Sequence, residues 1–263
     1  MSAFDSELSF ARDVAGLGGR IAMGHFGRGP ARRKKADGTW VTEADWAVEA
    51  QIRLRIARTW PGHNVLGEEE GLTAAGGGPP RSGAPTWVVD PIDGTDNYLA
   101  GIPVWAILIG LRTGNQTVLG VCHAPALGES YDAARGAGAR MNGSSIAVDP
   151  LEELAEATVF AAGPESFDAP GLSDFYGRLV RASRRSRGFA DFWGHMLVAR
   201  GAGHVMVEPE MNLWDVAALE PIVREAGGRI TGLDGNAWKD GGGCLTTSGP
   251  LHEQVLGLVA GAP

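Results

Sequence analysis

The chain has 263 residues, 44% hydrophobic and 21% charged, with a net charge of −8. That is the balance of a soluble globular protein with one large domain or two closely packed ones. The negative charge argues against a general nucleic-acid binder, whose affinity rests on basic residues. Cys122 and Cys244 are the only cysteines, which excludes a disulfide framework and a clustered cysteine metal site. The start, Met1-Ser2-Ala3-Phe4-Asp5-Ser6-Glu7, lacks the basic and apolar regions of a signal peptide. The longest uniformly apolar run, near residues 104–109, is too short to cross a bilayer. The expected compartment is the cytoplasm, with no membrane partner.

In chain order, Leu8, Val14, Leu17 and Ile21 recur at helical spacing and predict an amphipathic helix over residues 5–23. The basic run Arg32-Arg33-Lys34-Lys35 follows, either a solvated face or the source of one ammonium near a phosphate. Thr42-Glu43-Ala44-Asp45 has capping-box spacing and opens a helix to about residue 60, stopped by Pro61-Gly62. Asp45 is then a helix cap, or a cap with a second job as hydrogen-bond acceptor. A short strand over 65–67 runs into Glu68-Glu69-Glu70. Three adjacent acids repel, and a cation would let one carboxylate sit inside. Residues 73–85, rich in Gly, Ala and Pro, read as a loose surface loop.

The centre of the chain is Trp87-Val88-Val89-Asp90-Pro91-Ile92-Asp93-Gly94-Thr95-Asp96-Asn97. An apolar triplet leads into Asp90, and Pro91 holds Asp90 extended. Gly94 permits a tight turn and Thr95 can start a helix. Strand end, carboxylate loop and helix N-terminus thus fall side by side. Carboxylates bind hard cations and helix N-termini bind phosphate. The pattern points to metal-assisted phosphoryl chemistry, although Asp, Gly and Pro also build ordinary turns.

Residues 104–112 and 117–123 read as a hairpin, with further strands over 129–134 and 137–141. Asp149-Pro150 is the candidate boundary between an N-terminal α+β half, 1–150, and a C-terminal α/β half, 151–263. The second half alternates: strands over 158–161, 204–207 and 229–231; helices over 172–182, 191–200, 213–226 and 250–259. Pro221 predicts a kink or a short helix. Asp215 lies in the first turn of that helix, where matching of the helix dipole alone would explain it.

Taken together, Gly67-Glu68-Glu69, Asp90-Pro91-Ile92-Asp93-Gly94-Thr95 and Trp214-Asp215-Val216-Ala217-Ala218, followed by Glu225-Ala226-Gly227-Gly228, resemble the inositol monophosphatase superfamily over nearly the whole chain. The resemblance implies a layered αβαβα sandwich, a homodimer, and hydrolysis of a small phosphate monoester with two or three Mg²⁺ ions per site, Mn²⁺ being able to substitute. It implies that Glu68, Asp90 and the Ile92 carbonyl hold one metal and that Asp90, Asp93 and Asp215 hold a second. Thr95 and Glu68 then orient the attacking water, Asp45 holds the Thr95 hydroxyl, and the Gly94 and Thr95 amides cradle phosphate. A family lysine corresponds to Lys34 or Lys35. All-oxygen ligands independently favour Mg²⁺, Mn²⁺ or Ca²⁺ over zinc.

Arg187-Gly188-Phe189-Ala190-Asp191-Phe192-Trp193 and Val207-Glu208-Pro209-Glu210 resemble the histidinol-phosphate phosphatase branch, although Ala190 replaces that branch's usual Gly. The resemblance puts Asp191 and Glu208 on the leaving group, where a carboxylate suits a cationic histidinol. The alternative is an inositol monophosphatase. A non-catalytic phosphate-binding regulatory protein would be expected to lack a ligand, and Glu68, Asp90, Asp93, Thr95 and Asp215 are all present. Arg181, Arg184, Arg185 and Arg187 read as a solvated face or a dimer contact.

Overall fold

A computed structural model describes residues 3–35, 38–169 and 171–261; Met1-Ser2 of the leader reading lie outside them. The elements in chain order are α1 Asp5–His25, β1 Arg32–Lys34, β2 Trp40–Thr42, α2 Glu43–Thr59, β3 Asn64–Gly67, β4 Gly71–Ala74, β5 Thr86–Asp93, α3 Thr95–Ala100, β6 Ala106–Thr113, β7 Gln116–Ala124, β8 Glu129–Ala134, β9 Ala139–Met141 and β10 Ser144–Ser145. They continue as β11 Thr158–Ala161, α4 Leu172–Ala182, β12 Arg185–Arg187, α5 Asp191–Ala199, β13 Val205–Glu208, α6 Leu213–Glu225, β14 Arg229–Gly232, β15 Cys244–Thr247 and α7 His252–Val259. Among the described residues, no helix is long and apolar enough to cross a membrane.

Two compact units result. One holds residues 1–143 with Trp214–Ile222; the other holds 144–213 with 223–263. The division differs from the expected halves. It falls at Gly143, and the segment carrying Asp215 groups with the first unit, not the second.

In the first unit the sheet runs β9-β8-β7-β6-β5-β3-β4. All neighbours are antiparallel except β3 and β5. Helix α1 packs against α2, β6 and β7. The apolar stripe read from the sequence continues through Ala11, Ala15 and Ala22, all buried. Ile107 and its register partner His123 point at Gly18 and Gly19 of α1. Alternation along the strands puts Gly110 and its register partner Gly120 on the opposite face. There Ala217 and Ala218 of α6 lie against the two glycines. Helix α6 runs through Pro221 unbroken. The expected loose loop at 73–85 is pinned at both ends. Residues 71–74 form β4 on β3, and the Asn64 side chain bonds both the carbonyl and the N–H of Arg81, at 2.9 and 2.8 Å.

In the second unit the sheet order is β12-β11-β13-β15-β14. Val159, Ala161, Val205, Val207 and Leu245 meet Phe175 and Leu179 of α4 and Val255 of α7. Phe160 and Met206, on the other face, meet Leu197 and Val198 of α5. The arginine run is the solvated face expected of it, with Arg181, Arg184, Arg185 and Arg187 all exposed. Arg185–Arg187 is the edge strand β12, and the Arg184 guanidinium donates to Glu156 O and Thr158 Oγ1, both at 3.1 Å. Charged side chains on an edge strand discourage pairing with another chain.

His195 of α5 is fully buried. Its Nδ1 lies 2.8 Å from Thr246 Oγ1, and its Nε2 has no hydrogen-bond partner among the described residues. Burial lowers its pKa to about 3. A folded-state value below the unfolded ~6.5 favours the neutral ring. The stabilisation is therefore complete above pH ~6.5 and is lost as pH falls towards 3. We expect wild type to lose about 2 kcal/mol between pH 7.5 and pH 5 from this residue alone. His252 acts with the same sign, burial foremost having lowered its pKa to about 4. Urea titrations of wild type and His195→Gln at both pH values check this; equal pH dependence in the two would contradict it.

Candidate active site

The site begins where β5 ends. Against β6, Asp90 pairs with Leu108 and Asp93 with Ala106, so β5 carries one extra residue here. Such a bulge bends a strand and re-aims its side chains. Pro91 needs no ladder partner for a missing N–H. Asp90 Oδ1 accepts the Ile92 N–H at 3.0 Å. Gly94, at φ 83°, takes the left-handed turn, and α3 starts at Thr95. Asp90 and Asp93 thus project from one bulge, with the first amides of a helix just beyond.

Asp90, Asp93 and Asp215 each bring one carboxylate oxygen within 4.8 Å of the other two. Asp90 and Asp93 are buried. Burial first, then the charges of Glu68, Asp93, Asp215 and Asp45, raise the Asp90 pKa well above its ordinary value. Converging buried carboxylates are costly without a counter-charge. An all-oxygen donor set of this kind fits a hard divalent cation.

Glu68 stands at the end of β3, and its N–H donates to Val89 O at 3.2 Å, next to Asp90. Lys35 Nζ lies 2.6 Å from both Glu68 Oε1 and Glu69 Oε1. Burial opposes the ammonium, but its hydrogen bonds to the two carboxylates and their charges outweigh that, and the Lys35 pKa rises. Lys35 is therefore the lysine at the acids. The preceding Lys34 lies 5.8 Å over the Trp40 ring. The rest of the run is the solvated face expected of it: Arg32–Lys34 forms strand β1 with β2 and is exposed throughout. Burial first raises the Glu69 pKa to about 7.

Asp45 closes the capping box: its Oδ2 accepts the Thr42 N–H at 2.8 Å and the Thr42 hydroxyl at 2.5 Å. Burial, with Glu68's charge adding, outweighs these bonds and lifts its pKa to about 6. The expected bond from the Thr95 hydroxyl to Asp45 is not made. Thr95 Oγ1 donates instead to Ile92 O at 3.0 Å, closing its own turn. Asp45 Oδ1 is left buried without a hydrogen-bond partner among the described residues.

In the second unit, Glu208 is buried at the end of β13. Its Oε1 accepts the Asp191 N–H at 2.9 Å. Asp191 opens α5 at φ 57°, a left-handed conformation that Asp tolerates better than most residues. Glu208 thus touches the backbone of Asp191, and the two predicted leaving-group residues are neighbours.

Sequence reasoning missed Glu49 and Arg53, an i,i+4 pair on α2 that binds the acidic loop at 69–73. It also missed Gly110 and Gly120, which seat the helix bearing Asp215. An i,i+4 acid–base pair looks like helix-surface patterning, and the two glycines become a pair only through strand register.

Carboxylates converging at a strand bulge beside a helix N-terminus define a cation-assisted phosphate hydrolase. Residues 5–262 match the inositol monophosphatase family, and the chain belongs to that family. It is 42% identical to a histidinol-phosphatase of Mycobacterium tuberculosis, over 84% of this chain and 85% of the relative. A histidinol-phosphatase of Chlorobaculum parvum is 35% identical, over 96% of each. A solved inositol monophosphatase of Thermotoga maritima superposes with a TM-score of 0.84 at 30% identity, over 100% of this chain and 98% of that one. The fold is the layered α/β sandwich of these proteins, and the chain is a metal-dependent phosphomonoester hydrolase.

Proposed function

We propose that the protein hydrolyses L-histidinol phosphate to L-histidinol and phosphate. In this reading Glu68, Asp90, Asp93, Asp215 and the Ile92 carbonyl hold Mg²⁺, for which Mn²⁺ can substitute. The bound ions supply positive charge against the phosphate and acidify the attacking water. Glu68 and the Thr95 hydroxyl orient that water. The Gly94 and Thr95 amides hold the phosphate oxygens at the start of α3. Asp45 Oδ1, which has no hydrogen-bond partner among the described residues, would accept the Thr95 hydroxyl if the Ile92 carbonyl held a cation. Water adds to phosphorus, the ester P–O bond breaks, and the departing alkoxide takes up the proton that the water gives up. The reading also includes a cytoplasmic homodimer.

The observation that carries the choice of substrate is the Asp191–Glu208 contact. It holds one buried carboxylate, that of Glu208, at the residue that opens α5, and a carboxylate there suits a leaving group bearing an ammonium and an imidazole better than a neutral polyol. The similarity to proteins named histidinol-phosphatase supports the same choice. The test is kcat/KM for histidinol phosphate over inositol 1-phosphate. Wild type should prefer histidinol phosphate. Asp191→Asn keeps a residue that tolerates φ 57° and should lose about 10–100-fold of the preference, the worth of one charge-assisted bond. A wild-type preference for inositol 1-phosphate would overturn the substrate and leave the hydrolase standing.

A further inference from the structure

We propose that Glu49 and Arg53, one turn apart on α2, are positioning residues that set where Glu68 presents its carboxylate. The proposal rests on Glu68 being a cation ligand. Glu49 is fully buried, and a buried carboxylate persists only where donors surround it. Three donors do. Oε2 accepts the Glu69 N–H at 2.8 Å; Oε1 accepts the Glu70 N–H at 3.0 Å and Arg53 Nε at 2.8 Å. Arg53 carries the clamp onward. Its Nη2 donates to Gly71 O at 2.6 Å and its Nη1 to Thr73 Oγ1 at 3.0 Å. Two side chains of one helix thus hold residues 69, 70, 71 and 73.

Gly67 completes the fit. A Cβ there would overlap the Glu49 carboxylate, so the loop rests directly on that group. Glu68 lies between two fixed points. Its own N–H is tied to Val89 O, beside Asp90, and the next two amides are tied to Glu49. Its backbone therefore has little play, and its carboxylate, bonded by Lys35 Nζ at 2.6 Å, is presented from a base that the clamp fixes. A carboxylate has lone pairs for all three donors, whereas a Gln would turn an NH₂ towards one of them. A pair that merely strengthened α2 would need neither the backbone carbonyl of Gly71 nor the two loop amides.

The experiment is calorimetric titration of Mn²⁺ into the full-length, metal-free protein, with steady-state kinetics alongside. Glu49→Gln should weaken Mn²⁺ binding by about 10-fold, typical of losing a group that orients a ligand, while kcat at saturating Mn²⁺ stays within about threefold. Ile56→Val trims a buried side chain on the same helix and should lower the melting temperature without changing Mn²⁺ affinity. If Glu49→Gln does not fold, Arg53→Lys decides. It keeps a positive charge near Glu49 but loses the fork to Gly71 and Thr73, and should weaken Mn²⁺ binding by about threefold or more. Glu68→Gln tests the underlying assignment. If it leaves Mn²⁺ binding unchanged, Glu68 is not a ligand. If Glu68→Gln weakens binding but the clamp variant stays within about twofold of wild type, or if Ile56→Val weakens it equally, the positioning role is wrong.

Discussion

Asp93→Asn is expected to lower kcat/KM for phosphate release by on the order of 10²–10³-fold or more while raising the melting temperature of the metal-free protein. The two effects have one cause. Asp93 places an oxygen within 4.8 Å of oxygens on Asp90 and Asp215, and its charge is one of those raising the Asp90 pKa. Asn has nearly the same volume but no charge. It removes repulsion from a crowded buried group and, on the proposed assignment, a ligand from the cation site. Phosphate release with and without EDTA, and thermal melts of metal-free protein, measure the two directions. A folded Asp93→Asn protein with unchanged turnover would remove the metal assignment. A lowered melting temperature would show that Asp93 has a structural role in the metal-free protein.

That Asp90 and Asp93 project together was legible because their chemistry is local. Asp90, Pro91, Asp93 and Gly94 lie within five residues, and each restricts the backbone in a way that needs no tertiary partner. The same holds for the capping box of Thr42 and Asp45, and for helices with strong apolar spacing such as α4, which has the expected bounds. What was not legible depends on distant partners. Strand β15, Cys244–Thr247, is fully buried between β13 and β14, but four residues are too few to show a period. Strand β12 is three residues with two arginines, and only its pairing with β11 makes it a strand. The Thr95 hydroxyl was expected on Asp45 because the resemblance supplied that bond. A hydroxyl three residues beyond a carbonyl can also close its own turn, and sequence does not decide between the two. Asp215 was read as part of the second half by position in the chain. Its grouping with the first unit depends on two glycines ten residues apart that face each other only because β6 and β7 pair in that register.

Those glycines carry the second large expectation. Gly120→Ala should destabilise the protein by roughly 3 kcal/mol or more and abolish tight Mn²⁺ binding, and Gly110→Ala should do both to a smaller degree, roughly 1–3 kcal/mol. A Cβ on Gly120 would overlap the Ala218 carbonyl oxygen and come within 2.8 Å of Pro221 Cγ. On Gly110 it would lie 2.9 Å from the Ala217 oxygen. Neither obstacle can rotate away, because both are helix backbone. Pro221 reinforces the seat. It has no N–H for the carbonyl four residues back, which is Ala217, and its ring crowds that carbonyl. The glycine pair leaves room for the Ala217 and Ala218 carbonyls against the sheet, where α6 runs through its internal proline without breaking. Lifting α6 from this seat moves Asp215, less than one turn from Ala217, away from Asp90 and Asp93. Mn²⁺ titration of Gly110→Ala, the milder variant, is the informative measurement. Weaker binding alongside the lost stability is the expected result. Unchanged binding in a destabilised Gly110→Ala protein would show that Asp215 is held by something other than the glycine seat.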